Sequence, residues 1–189
     1  MTRVIAGSAG GRRLVVPAGR DTRPTSDRAR EGLFSTIGAL LGPLDGLRVV
    51  DLYAGSGAVG LEALSRGAAH ALLVESHPRA VKVIRENVAA LGLPGARVCA
   101  DRVERVVRRP PDEPYDLVFA DPPYALSDDA VTSLLETLRD QRWTAPDALV
   151  VVERAARGAP PQWPEGYLAE RDRRYGEAVF WYGRAVERS

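Results

Sequence analysis

Five short apolar runs between residues 47 and 153, each ending at or next to an acidic residue, constrain this chain more than any other feature. They are Val49-Val50-Asp51-Leu52, Ala71-Leu72-Leu73-Val74 before Glu75, residues 96–100 before Asp101, residues 115–120 before Asp121, and residues 149–152 before Glu153. Runs of four to six apolar residues bounded by turn formers read as buried strands. Helical spacing fills the gaps at 59–65, 78–91, 103–107 and 130–138. Pro78 suits a first helical turn and Gly92 suits a stop. Strands alternating with helices imply a mostly parallel sheet covered by helices on both faces. The acids of the first four strands then share the carboxyl edge of that sheet, where open α/β sheets bind ligands.

The flanks differ. Residues 3–16 alternate loosely around Gly7, Gly10 and Gly11, which predicts a small N-terminal β-hairpin. Residues 17–24 read as loop. Thr25 or Ser26 can cap a helix whose apolar face carries Leu33, Phe34, Ile37, Leu40 and Leu41, and Gly42-Pro43 ends it. Residues 155–164 are rich in Gly and Pro, so a loop replaces the next helix. Residues 168–175 and 178–182 read as an antiparallel closing hairpin turning near Gly176. At 189 residues the chain suits one domain, 1–189, with a 1–42 extension on a 43–189 core.

Composition narrows the function. Cys99 is the sole cysteine, and His70 and His77 are the only histidines. Internal disulfides are excluded, and no metal site is expected. No apolar run approaches the ~18 residues of a membrane helix, and no signal region follows the N-terminus, so a cytoplasmic protein is expected. Net charge is +1, but residues 1–31 hold seven arginines against three acids. That gives the first segment +4 and leaves −3 for the rest. A basic arm on a mildly acidic body suits a polyanionic partner.

The stretch Asp121-Pro122-Pro123-Tyr124 carries the most chemical information. An exocyclic base amine is a weak nucleophile because its lone pair is delocalised into the ring. The Asp121 carboxylate and the Pro122 carbonyl can accept its two N–H groups, and proline fixes φ. Tyr124 offers a face on which an extruded base can stack.

Asp51 to Gly60 follows a strand, opens a helix and satisfies G-x-G-x-x-G through Gly55, Gly57 and Gly60. Dehydrogenases carry this pattern too. Glu75 can hold a ribose in either class. Asp51 favours S-adenosylmethionine over NAD, since a carboxylate there suits an ammonium and not a pyrophosphate. Asp101 can accept from an adenine amine. Tyr53 adjoins the same turn.

These motifs resemble class I S-adenosylmethionine-dependent methyltransferases acting on an exocyclic amine. Arg3-Val-Ile-Ala-Gly, Gly11-Arg12, Thr22-Arg23-Pro24-Thr25, Asp27-Arg28 and the stretch from Arg30 to Phe34 resemble the small bacterial 16S ribosomal RNA guanine-N2 methyltransferases. The likeness implies a Rossmann-like sheet, S-adenosylmethionine as methyl donor without a metal, and guanine N2 in 16S RNA of an assembling small subunit as the target. It implies that Asp51, Gly55 and Gly57 line the methionine end, Glu75 the ribose and Asp101 the adenine. Asp121, Pro122 and Tyr124 would hold the guanine. Arg12, Arg13, Arg20, Arg23 and Thr25 are the RNA-contact candidates, and a monomer is expected. Three rivals stand beside this reading. An NAD-dependent dehydrogenase has no use for Asp121-Pro-Pro-Tyr124. An adenine-N6 or cytosine-N4 DNA methyltransferase usually needs a recognition insert, for which there is no room. A non-catalytic RNA-binding assembly factor has no need of the acids.

Overall fold

Strand order in the computed structural model is β3-β2-β1-β4-β5-β7-β6, a seven-stranded sheet in which β7 alone runs against the other strands. Residues 2–18 and 25–187 are described, so Arg20, Thr22 and Arg23 lie outside the described residues. The parallel strands are β1 (Arg48–Leu52), β2 (His70–Glu75), β3 (Ala96–Ala100), β4 (Tyr115–Ala120) and β5 (Thr144–Ala155). β6 (Tyr167–Tyr175) and β7 (Ala178–Ala185) form the closing hairpin, with β7 antiparallel to β5. The helices are α1 (Asp27–Leu41), α2 (Ala58–Ser65), α3 (Pro78–Leu91), α4 (Val103–Val106) and α5 (Asp128–Asp140).

Side-chain alternation along the strands builds two cores. Val49, Leu117, Phe119, Leu149, Val151 and Phe180 face α1, α2 and α3. Val50, Val118, Ala120, Val150 and Val152 face α4 and α5. The Ser26 and Ser127 hydroxyls cap α1 and α5, each accepting an N–H at 3.1 Å. β5 begins five residues before the predicted strand. Pro146 and the left-handed Asp147 (φ 63°) disguise that entry, which sits at a register irregularity against β4. β6 exposes residues 168–174, five of them charged, as suits an edge strand that must not pair with another chain.

The N-terminal arm folds back on itself with one bridge, Arg3 opposite Arg13. Val4 and Leu14 N–H groups donate to Arg12 O and Thr2 O at 2.9 Å, and Gly11 N–H donates to Val4 O at 2.8 Å. Side chains of the core add further anchors. Glu62 on α2 accepts the N–H groups of Ile5 and Ala6 at 2.8 and 3.1 Å. Asn87 on α3, 2% exposed, takes both main-chain groups of Val15 at 2.8 Å and donates to Ser56 O at 3.0 Å. The arm thus shares a side-chain bridge with the glycine turn.

Candidate active site

The glycine turn joins β1 to α2. Gly55 and Gly57 have φ of 59° and 81°, left-handed values that cost an L-residue ~1–2 kcal/mol. Gly60 is needed for a different reason. A Cβ there would lie 2.2 Å from Leu73 Cδ2, so only glycine lets α2 sit this close to β2. The N-cap of α2 is Gly57, which offers no side chain, and Asp51 from β1 supplies the missing acceptor. Its Oδ2 takes the Gly60 N–H at 3.0 Å. Asp51 is 1% exposed. Burial, with the Gly60 N–H opposing and the charge of Glu75 adding, pushes its carboxyl up to about 8.

Glu75 braces the turn from β2. Its Oε1 accepts Gly55 N–H and its Oε2 accepts the N–H groups of Ser76 and His77, all at 2.9 Å. A carboxylate has about four acceptor positions, so roughly one, on Oε1, remains for a ligand hydroxyl. Asp101 follows β3, with Oδ1 accepting Arg102 N–H at 2.7 Å. Arg105 approaches the same oxygen at 3.8 Å. Tyr53 takes a left-handed φ of 61°, and its hydroxyl donates to Glu104 at 2.9 Å. Burial and that bond raise its phenol.

The tetrapeptide lies at the carboxyl end of β4, with Asp121 N–H on Leu52 O at 3.2 Å. Burial, then the charge of Glu153 and a hydrogen bond with it, then Asp51, raise the Asp121 carboxyl well above the usual range, with Arg154 opposing. Among the described residues no protein donor reaches the Pro122 carbonyl. Tyr124 is 52% exposed, so its ring is not part of the core. It borders a cleft of about 400 Å³ shared with Leu126, Arg154 and Gly158.

Two residues here carried no assigned role in the sequence. Arg154, 8% exposed, donates to Pro123 O at 3.2 Å and Leu126 O at 2.7 Å, clamping the loop after Asp121. Glu153 is 6% exposed and accepts from the Thr25 hydroxyl at 3.4 Å. Glu153 was visible as the fifth strand-end acid. Arg154 looked like any arginine leaving a strand. Thr25, read as an RNA contact, reaches the acidic pair. Arg12 donates to Ala90 O, the main chain near the end of α3, at 2.6 Å. Arg13 is exposed, and its side chain makes no hydrogen bond or ion pair among the described residues. No group of three or more His, Cys, Asp or Glu among the described residues is arranged to hold a metal ion.

A family described as "Conserved hypothetical protein 95" matches residues 2–184. Ribosomal RNA small subunit methyltransferase D of Escherichia coli K12 is 34% identical over 178 residues, 94% of this chain and 87% of that protein. The chain belongs to this family of ribosomal RNA small subunit methyltransferase D relatives. Solved family structures share the whole fold. yhhF from Escherichia coli superposes with a TM-score of 0.85 at 31% identity, covering 97% of both chains. A hypothetical protein from Thermus thermophilus gives 0.79 at 35% identity over 99% of both.

The electrostatics suit a cationic ligand. Asp51, Glu75, Asp121 and Glu153 interact around the carboxyl edge, and Arg154 is the cation that Asp121 feels. Burial raises both the Asp51 and the Asp121 carboxyls, and neighbouring carboxylates raise them further, so ionising them is favoured by a nearby cation. A ligand bearing an ammonium and a sulfonium meets that need. A pyrophosphate does not.

Proposed function

We propose that this chain transfers the methyl group of S-adenosylmethionine to the exocyclic N2 of a guanine in 16S ribosomal RNA of the small subunit. The supporting observation is the lip at the end of β4. There a strand-end carboxyl and a proline carbonyl without a donor among the described residues adjoin an exposed tyrosine, next to an acidic glycine turn. The small-subunit RNA target follows the relatives' printed activity. Guanine N2 follows the resemblance of the N-terminal motifs.

When bound, S-adenosylmethionine supplies an electrophilic methyl group on sulfur. The chain's residues do the rest. Gly55 and Gly57 let the backbone approach the methionine end, with the Asp51 charge beneath. The remaining Glu75 acceptor suits a ribose hydroxyl, and Asp101 Oδ2 suits the adenine amine. Asp121 and the Pro122 carbonyl accept the two N–H groups of guanine N2, drawing nitrogen toward tetrahedral geometry, while Tyr124 stacks on the base. Positive charge grows on N2 as it reacts, so an anionic Asp121 binds the transition state more tightly than the ground state. N2 lies on the minor-groove edge, so the base must be unpaired or extruded. Arg13, Arg20 and Arg23 are the phosphate contacts in this reading, in a cytoplasmic assembly particle.

Tritiated-methyl transfer to small subunits lacking the modification, followed by mass spectrometry of the nucleosides, tests the assignment. N2-methylguanosine is expected. Methylated adenine or cytosine would overturn the base, and binding of NAD without S-adenosylmethionine would overturn the reaction.

A further inference from the structure

Beside the tetrapeptide a half-buried carboxyl, Asp121, meets a buried one, Glu153, and only the first has a role in the scheme above. Ala120 and Val152 are register partners in β4 and β5. The next residues, Asp121 and Glu153, therefore emerge side by side. Strand alternation puts both on the α1 face, with Phe119 and Val151. Their carboxyls lie within hydrogen-bonding reach of each other, a contact that with burial raises the Asp121 carboxyl. A hydrogen bond between them needs a proton, because an ionised carboxylate can only accept. Glu153 also takes the Thr25 hydroxyl, a neutral donor. Alternation sends Arg154 to the other face, where it is committed to the carbonyls of Pro123 and Leu126 and to Asp128 at 3.6 Å. No salt bridge to Glu153 or Asp121 is formed among the described residues.

We propose that Asp121 and Glu153 are a dyad sharing one proton, with Glu153 as the positioning residue that holds Asp121 in register while its second oxygen accepts from the base amine. The proposal rests on the methyl-transfer reading for its role, but not for its existence. The singly protonated pair carries one negative charge, enough to stabilise a growing cation. Once N2 has gained its methyl group it holds one proton too many. The N–H bond breaks, its electron pair stays on nitrogen, and the proton moves to the accepting Asp121 oxygen. The dyad becomes doubly protonated and gives one proton to water after product leaves.

Other charges set when the shared proton is lost. Asp51 on β1 faces Asp121, and Glu75 of β2 lies beyond Asp51. The Asp51 charge favours retention. Arg154, itself paired with Asp128 of α5, opposes it. A proton held between two carboxyls leaves at higher pH than a lone carboxyl in the same place would release it. Rising pH therefore turns the pair into two repelling carboxylates and spoils the alignment of Asp121.

Glu153→Gln separates this role from simple packing. The amide keeps the shape, donates permanently to Asp121 and cannot ionise. Carbon NMR of protein labelled at aspartate Cγ, with the Asp121 signal assigned by its loss in Asp121→Asn, reads the dyad directly. The Asp121 titration should lie above the ordinary carboxylate range in the wild type and move down in Glu153→Gln. An unmoved Asp121 titration would remove the dyad. Single-turnover methyl transfer gives a second readout. Glu153→Gln should retain the neutral-pH rate and outlast the wild type on the alkaline side, while Glu153→Ala loses about 10²-fold with cofactor affinity kept. Equal loss in both variants, or identical alkaline limbs in Glu153→Gln and wild type, would overturn the positioning role. A wild type that transfers no methyl yet shows the raised titration would defeat the proposed function and leave the dyad standing.

Discussion

Arg30 and Glu62 form an ion pair at 3.4 Å with both side chains fully buried. Arg30 also donates to Asp27, to Thr25 O and to Arg3 O, while Glu62 accepts Ile5, Ala6 and Arg66. Two residues 32 apart thus tie the arm, the start of α1 and α2 together. Thr25 extends the connection to Glu153. Removing Arg30 leaves Glu62 with the partly exposed Arg66 as its cation and strips donors from Thr25 O and Arg3 O, so Arg30→Met should cost about 3–5 kcal/mol. Urea unfolding measures it, and a loss below about 1 kcal/mol would contradict the hub.

Asp51 gives a pH dependence with a definite sign. Its carboxyl rises from an ordinary 3.8 to about 8 in the fold. Folding therefore takes up a proton between those values, and stability without cofactor falls as pH rises from about 4 to about 8. A cationic ligand favours the ionised form, so binding below pH 8 should release a proton and tighten with pH, by about tenfold per pH unit at most. Calorimetry in buffers of different ionisation enthalpy reads the release. Asp51→Asn should abolish the difference, and a wild type that releases no proton at neutral pH would refute it.

Asp121→Ala should lower single-turnover methyl transfer by about 10²–10³, or 3–4 kcal/mol, as expected for loss of one preorganised charge-stabilising group. Labelled S-adenosylmethionine should still bind. Retention of more than a tenth of the rate would deny Asp121 its role.

Tyr124 is asked only for a flat face. Tyr124→Phe should be close to wild type, whereas Tyr124→Ala should lose about 1–3 kcal/mol in kcat/KM for RNA. Similar loss in both variants would point to the hydroxyl.

The arm arginines should separate by kind. Arg13→Ala should weaken small-subunit RNA binding and reduce the slope of log affinity against log salt by about one phosphate contact. Arg12→Ala should leave that slope unchanged, because its guanidinium holds Ala90 O, and should loosen the arm in hydrogen exchange. A changed slope for Arg12 and not Arg13 would reverse the assignment.

The legible parts of this fold were local. Each parallel strand announced itself by an apolar run, and each long helix by spacing with a cap or a stop. The turn glycines and the lip from Asp121 to Tyr124 are contiguous stretches, so their placement needed no tertiary knowledge. What stayed hidden depends on register. The Asp121–Glu153 contact joins residues 32 apart, and nothing near Glu153 hints that β5 lies beside β4. Arg154 could not be told from a solvated arginine until its targets, main-chain carbonyls of another loop, were in place. The arm was legible as a small hairpin because its residues alternate. Its anchors on the core, Glu62, Ser65 and Asn87, were not, since these polar side chains look like ordinary helix surface in the sequence.

The Arg154 clamp has a consequence for how this lip can vary. It grips the backbone at positions 123 and 126 and ignores the side chains there. Side chains of the outer segment can therefore change, reshaping the rim, while the anchorage of the lip itself stays put. Rim shape and lip position are mechanically uncoupled at this corner of the molecule.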